Sequence, residues 1–374
     1  MRKTHVSMHS HQPEGIDRSL VDFAVLADWM DAEGLPRGDF EQVKVLAGGT
    51  QNVLVRLVRG DERYVLRRGP QHLRPASNQV MRREMEVLAA LAGSDVPHPR
   101  FIAGCPDEEV MGGAVFYLME PVNGFNATVE LPQLHASDAT MRHEMGLQAA
   151  DAVARLAAVD HVAVGLADFG RPEGFLERQV PRWLRELESY SEHDGYPGPA
   201  IPGVDDVADW LDANRPTTWT PGILHGDYHL ANVMYSPTGP ELAAIVDWEM
   251  CTIGDPLLDL GWLLATWPEV EPATAAGRGG IASMAAMASG AIGAAGGLPS
   301  GDELVKRYAE RSERDLSSIA WYAVLACFKL GIVLEGTNAR AHAGKAPKPT
   351  GDLLHAITLG LFARAHRIIA GDAP

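Results

Sequence analysis

Three polar residues, Asp227, Asn232 and Asp247, stand at set intervals in apolar surroundings. The first two lie in Ile223-Leu224-His225-Gly226-Asp227-Tyr228-His229-Leu230-Ala231-Asn232-Val233-Met234-Tyr235, and the third closes Ala243-Ala244-Ile245-Val246-Asp247. A carboxylate, four intervening residues, an amide, and later a carboxylate ending an apolar strand is the spacing of phosphoryl-transfer catalytic loops. That transfer has a loose transition state, so a protein contributes mainly by positioning reactants and neutralising charge. Asp227, carried on a loop by Gly226, has the chemistry to orient an attacking hydroxyl and accept its proton. Magnesium takes oxygen ligands, which Asn232 and Asp247 can supply. His225 suits a backbone-holding role better than a chemical one.

The same segment admits a rival reading. His225-x-Asp227-x-His229 has the ligand types of a metal hydrolase, but no second His/Asp group stands at supporting spacing. A third possibility is a plain turn with a loop amide, which the coincidence of all these features in one window disfavours. No G-x-x-x-x-G-K-[ST] and no G-x-G-x-x-G occurs, which removes two other nucleotide-binding folds.

The elements that must carry these residues can be read from periodicity. At 374 residues, two lobes or domains are expected rather than one core. Apolar residues at helical spacing over 17–33 predict a lead-in helix, stopped by Gly34 and Pro36. A β-rich block follows, with strands over 40–46, 53–58 and 64–67, and a small-residue turn at Gly48-Gly49-Thr50 that could approach phosphate oxygens. Residues 80–91 form a helix pattern containing Glu84, which either faces a cation on the preceding strand or is merely solvated. A strand over 114–120 then runs into Pro121-Val122-Asn123-Gly124, a natural lobe boundary. Helices are expected over 145–159, 175–190, 204–214, 257–267, 302–311, 316–338 and 352–369. The Ala/Gly/Met-rich stretch 271–300 reads as a loosely packed helix with loops.

Charge and cysteine usage narrow the class. A formal net charge of −17 disfavours nonspecific nucleic-acid binding. Cys105, Cys251 and Cys327 form no C-x-x-C pair, a reducing-compartment pattern. Residues 1–12 are polar and His-rich with no apolar core of a signal peptide, and apolar runs elsewhere are too often interrupted for a membrane span. A cytoplasmic location and no membrane partner are the expectations.

The window Leu224 to Val233 with Ile245-Val246-Asp247-Trp248-Glu249 closely resembles the aminoglycoside phosphotransferase and choline kinase-like superfamily. The resemblance extends over most of the chain. Phe175-Leu176-Glu177-Arg178-Gln179-Val180-Pro181-Arg182-Trp183, Gly254-Asp255-Pro256-Leu257-Leu258-Asp259-Leu260 and Gly331-Ile332-Val333-Leu334-Glu335-Gly336 are similar to the subgroup associated with acyl-CoA dehydrogenases. The resemblance implies an α+β, protein kinase-like bilobal fold, with a β-rich N-lobe over 1–119 and a mainly helical C-lobe over 120–374. It implies Asp227 as the catalytic residue and Asn232 and Asp247 as magnesium ligands.

For the nucleotide, ATP or GTP, it implies Gly48, Gly49 and Thr50 as a covering loop, and Glu84 anchoring a phosphate-binding cation. That cation falls on Arg67, where the superfamily usually has Lys, and the two are not equivalent. Arg68 should point to the other face by strand alternation. At Met119-Glu120-Pro121-Val122 the Glu120 carbonyl and Val122 N–H would pair with the adenine edge. Asp255 and Asp259 match acidic positions that brace the catalytic segment, and Ala157 stands where many relatives carry His. The implied activity is phosphorylation of a small-molecule hydroxyl, the acceptor being a hydroxy acid or hydroxyacyl-CoA, with a functional link to an acyl-CoA dehydrogenase. An aminoglycoside acceptor and a non-catalytic nucleotide-binding module are the alternatives.

Overall fold

The computed structural model describes residues 16–18, 20–46, 52–70, 72–268 and 289–374. The polar N-terminal stretch, the Gly48-Gly49-Thr50 turn and residues 271–288 of the Ala/Gly/Met-rich segment lie outside them. Two compact units are present, one comprising Met1–Ser94 with His98–Val122 and the other Asp95–Pro97 with Asn123–Pro374. The division falls after Val122, where the sequence reading set it after Met119.

The first unit is an antiparallel sheet with two helices. Its strands β1 (Phe40–Val45), β2 (Val53–Arg59), β3 (Glu62–Arg68), β4 (Phe101–Cys105) and β5 (Phe116–Met119) lie in the order β1-β2-β3-β5-β4. Arg59 pairs with Glu62 across a two-residue turn that puts Gly60 at φ 58°, a conformation a side chain would resist. Helix α1 (Phe23–Ala32) buries Phe23, Leu26 and Met30 against Val55, Leu57, Leu66, Phe116 and Leu118. It starts six residues later than the 17–33 reading because the Asp22 carboxylate caps it, accepting from the Ala24 and Val25 N–H groups. Helix α2 (Ser77–Ala90) turns Met81, Glu84, Val87 and Leu88 inward.

The second unit is helical, with two small two-stranded sheets. Helices α3 (Gln133–Ala136), α4 (Ala139–Ala158), α5 (Gln179–Ser189) and α6 (Val204–Ala213) precede β6 (Gly222–Leu224), β7 (Val233–Tyr235), β8 (Leu242–Ile245) and β9 (Thr252–Gly254). Strands pair as β6–β9 and β7–β8. Then come α7 (Leu257–Thr266), α8 (residues 289–295), α9 (Gly301–Ala309), α10 (Ile319–His342) and α11 (Lys348–Ile369). Helix α5 begins at Gln179 rather than at 175, because Gly174 sits at φ 62° and residues 175–178 close turns onto Pro172 and Gly174. Helix α10 is long and apolar enough by length and composition to cross a bilayer, which the sequence reading did not anticipate. Of its most apolar window 72% is buried inside the protein, and it carries Lys329 and Glu335 among its buried residues.

Helix α7 is buried on every side, from Leu257 to Thr266. It meets α10 at Gly261, where an added Cβ would stand 2.6 Å from the backbone C and O of Tyr322. Gly to Ala gains about 1 kcal/mol of helix propensity, but a methyl against backbone cannot be relieved by a rotamer change. Gly261→Ala is therefore expected to destabilise the protein by about 1–3 kcal/mol net. Urea unfolding of the two proteins checks the sign.

Candidate active site

The loop after β6 is shaped by what its backbone must satisfy. Gly226 has φ 85°, and a Cβ there would lie 2.5 Å from the Met250 carbonyl oxygen, so no side chain fits. The buried carboxylate of Asp259, on α7, accepts from two consecutive N–H groups: His225 at 2.6 Å and Gly226 at 2.9 Å. Burial raises the Asp259 pKa to about 7, against the pull of those donors and of Lys329. The His225 ring is fully buried, and its Nε2 lies 3.0 Å from the Val246 carbonyl, a contact that requires Nε2–H. Its Nδ1 has no hydrogen-bond partner, and burial lowers its pKa, so this ring is neutral. His225 thus braces the backbone, and its ring is committed to Val246 rather than to a shared metal site with His229.

Asp227 leaves this loop with 36% of its side chain exposed. Its Oδ1 accepts from the Trp262 indole at 3.0 Å, and its Oδ2 accepts from the Asn232 amide at 3.0 Å. His229 Nε2 lies 3.4 Å from Oδ1. Burial works against ionisation here, but the His229 hydrogen bond and the nearby Lys329 ammonium outweigh it and hold the pKa down to about 2. The carboxylate is charged throughout the neutral range.

The Asn232 Nδ2 also donates to the Asp227 backbone carbonyl at 2.9 Å, which orients the amide and turns its oxygen away from both acceptors. Asp247 follows β8 at φ 68°, ψ 64°, a left-handed conformation that costs a non-glycine residue about 1–3 kcal/mol. The Val246 N–H donates to the Asn232 carbonyl at 2.9 Å, tying the two segments together. An amide oxygen and a carboxylate are hard donors of the type magnesium takes, so this donor set fits that ion.

In the first unit Arg67 and Glu84 form a buried two-bond ion pair. Arg67 Nε donates to Oε2 at 2.7 Å and Nη2 to Oε1 at 2.8 Å. Tyr117 adds a third bond, donating to Oε2 at 2.8 Å. Arg68 points to the opposite face and reaches the Leu20 carbonyl. Glu120 lies just past β5, donates its N–H to the Arg100 carbonyl at 2.9 Å, and pairs its side chain with the Arg100 guanidinium. Val122 ends the unit. Gly48, Gly49 and Thr50 fall outside the described residues.

Several contributors escaped the sequence reading. Trp262 and Lys329 sit on α7 and α10, where apolar periodicity reads as core. A lone Lys inside an apolar helical run was the available signal for Lys329. Asn126 donates to the Ala231 carbonyl at 2.7 Å and steadies the far end of the loop. Tyr228, fully buried, donates to the Ala149 carbonyl on α4 at 2.7 Å.

The sequence profile of the phosphotransferase enzyme family matches residues 42–291. Acyl-CoA dehydrogenase family member 11 of Gallus gallus is 27% identical over 81% of this chain and 37% of its own length. The Homo sapiens protein of that name is 29% identical over 78% of this chain and 35% of its own. The chain thus spans just over a third of these relatives. A crystal structure of a protein from Ralstonia eutropha, provisionally named an aminoglycoside phosphotransferase, superposes with a TM-score of 0.72 at 28% identity. It covers 92% of this chain and 98% of that one, and the fold is kinase-like.

The raised pKa of Asp259 makes a signed prediction. The folded chain keeps this proton up to about pH 7, whereas an unfolded Asp releases it near its ordinary 3.8. Its contribution to stability is full below the unfolded value and is lost as pH rises through the folded one. The stability advantage of the native chain over Asp259→Asn should therefore shrink between about pH 4 and about pH 8. Urea unfolding across that range measures it, and a widening advantage would contradict the assignment.

Proposed function

The chain belongs to the phosphotransferase enzyme family, and on that premise we propose that it transfers the terminal phosphoryl group of ATP, or GTP, to a small-molecule hydroxyl with magnesium. The observation that carries this is the ionised Asp227 carboxylate, fixed between Trp262 and Asn232 on a loop whose backbone is held by Asp259. The acceptor hydroxyl donates a hydrogen bond to Asp227, its oxygen forms the new bond to phosphorus, and the bond to the leaving diphosphate breaks. With a pKa of about 2, Asp227 is a weak base. Its work is to orient the hydroxyl and take the proton late, when the forming ester makes that proton acidic.

Asn232 and Asp247 would hold magnesium, which when bound neutralises phosphate charge. Within the first unit, Arg67, fixed by the Glu84 carboxylate that Tyr117 also holds, is the residue we assign to phosphate binding. Arg presents a planar fork and is pinned here by two bonds, where a Lys would offer a single point charge.

For the acceptor, the relatives named acyl-CoA dehydrogenase family member 11 support a hydroxy acid or a hydroxyacyl-CoA thioester, with a link to acyl-CoA metabolism. Nucleotide consumption measured with magnesium over hydroxy acids, hydroxyacyl-CoAs and aminoglycosides tests this. Stimulation by the first two classes is expected. Stimulation by aminoglycosides alone would make the chain an antibiotic phosphotransferase, and tight nucleotide binding without turnover would make it a binding module.

Two substitutions separate the roles. Asp227→Ala should lower turnover by about a thousandfold or more while nucleotide affinity changes only a few-fold. Asp247→Asn should instead raise the magnesium concentration needed for half-maximal rate, read from a metal titration.

A further inference from the structure

Lys329 lies in the middle of α10 with 8% of its surface exposed. Burying an ammonium is costly unless its charge is answered locally. Burial lowers its pKa to about 8, while Asp227 and Asp259 favour the charged form and Arg182 opposes it. The ammonium is therefore still mainly protonated at neutral pH. Its partners are specific. Nζ donates to the Gly226 carbonyl at 3.1 Å, and it stands over two indole faces, 4.2 Å from the Trp262 ring centroid and 5.6 Å from that of Trp183.

These contacts converge on one carboxylate. The Gly226 carbonyl belongs to the peptide group that leads into Asp227, and the N–H on the other side of Gly226 is held by Asp259. Trp262 is engaged in two directions at once. Its face carries the Lys329 ammonium and its edge N–H donates to Asp227 Oδ1 at 3.0 Å. A cation on the face of an indole draws electron density from the ring and makes the N–H a stronger donor. An apolar residue of similar length would fill the same space without either effect.

We infer that Lys329 is a positioning residue for Asp227, acting through the Trp262 indole and the Gly226 carbonyl. The inference rests on Asp227 being the phosphoryl-transfer carboxylate. Lys329 fixes the direction of the carboxylate and strengthens the bond that holds it, and it takes no part in bond making.

The test uses the full chain and four variants: Lys329→Met, Lys329→Arg, Trp262→Phe and the Lys329→Met/Trp262→Phe double. Lys329→Met is expected to lower kcat about tenfold to a hundredfold with the nucleotide KM within about twofold. Lys329→Arg should recover part of that loss because it keeps the charge. Trp262→Phe, which keeps a ring but removes the N–H, should lower kcat similarly. The double variant should be no worse than the worse single, because the two residues act in series. An unchanged kcat, or an equal fall in Lys329→Met and Lys329→Arg accompanied by a rising KM, would overturn the inference.

An activity-free measurement separates this from failure of the kinase reading. The Trp262 indole N–H resonance in a 15N-labelled protein is identified by its loss in Trp262→Phe. It should shift in Lys329→Met and also in Asp227→Asn. If it stays in place in Lys329→Met, the linkage does not exist, whatever the turnover. If it shifts while the native chain consumes no nucleotide with any acceptor, the linkage stands and the kinase reading falls.

Discussion

The shape of the loop that carries Asp227 depends on one buried carboxylate accepting two successive backbone N–H groups. Asp259 reaches His225 and Gly226 from inside the helical unit, and without it the buried His225 donor and the half-buried Gly226 donor would both lose their partner. Each such loss costs about 1–3 kcal/mol, enough to let a short loop find another shape. The φ of 85° at Gly226 and the Met250 carbonyl packed against it follow from that constraint. So does the direction in which Asp227 leaves the loop.

Each unit carries polar groups that are expensive to hold, and their neighbours account for them. The Arg67–Glu84 pair in the first unit is almost wholly removed from water, and two parallel bonds and the Tyr117 hydroxyl answer its polar atoms. A buried pair of this kind adds little net stability but is very costly to break on one side, about 3–5 kcal/mol. Asp247 stores strain in its left-handed backbone, and Asp tolerates that region better than most residues do. Geometry of this type is concentrated where a side chain must point somewhere its backbone would not choose.

What was legible in the sequence follows from what periodicity encodes. Asp227 and Asn232 could be paired because a short loop translates spacing directly into contact, and their side chains do meet. The opposite directions of Arg67 and Arg68 follow from strand alternation, and the two guanidiniums do go to different partners. Trp262 and Lys329 were hidden for the complementary reason. Both sit in helices whose apolar content reads as core, and a contact between α7, α10 and a distant loop leaves no local trace. Tyr117 was likewise an apolar-strand residue until Glu84 appeared beside its hydroxyl. The start of α1 at Phe23 turned on a single capping carboxylate, which periodicity does not register. For the acceptor the sequence offered a resemblance and no residue pattern, since its binding depends on surfaces assembled from residues far apart in the chain.

One feature of α7 has consequences for how this chain can change in length. Asp255, just before the helix, and Asp259 and Trp262 within it are spaced four and three residues apart, which stacks them along one side. Asp255 takes the Tyr322 hydroxyl, Asp259 the two loop amides, and Trp262 the Asp227 carboxylate. A single inserted or deleted residue in these roughly two turns would rotate everything beyond it by about 100°. All three appointments could not then be kept together. Substitutions along α7 can be absorbed one at a time, but its residue count between Asp255 and Trp262 is as constrained as any side chain in the site.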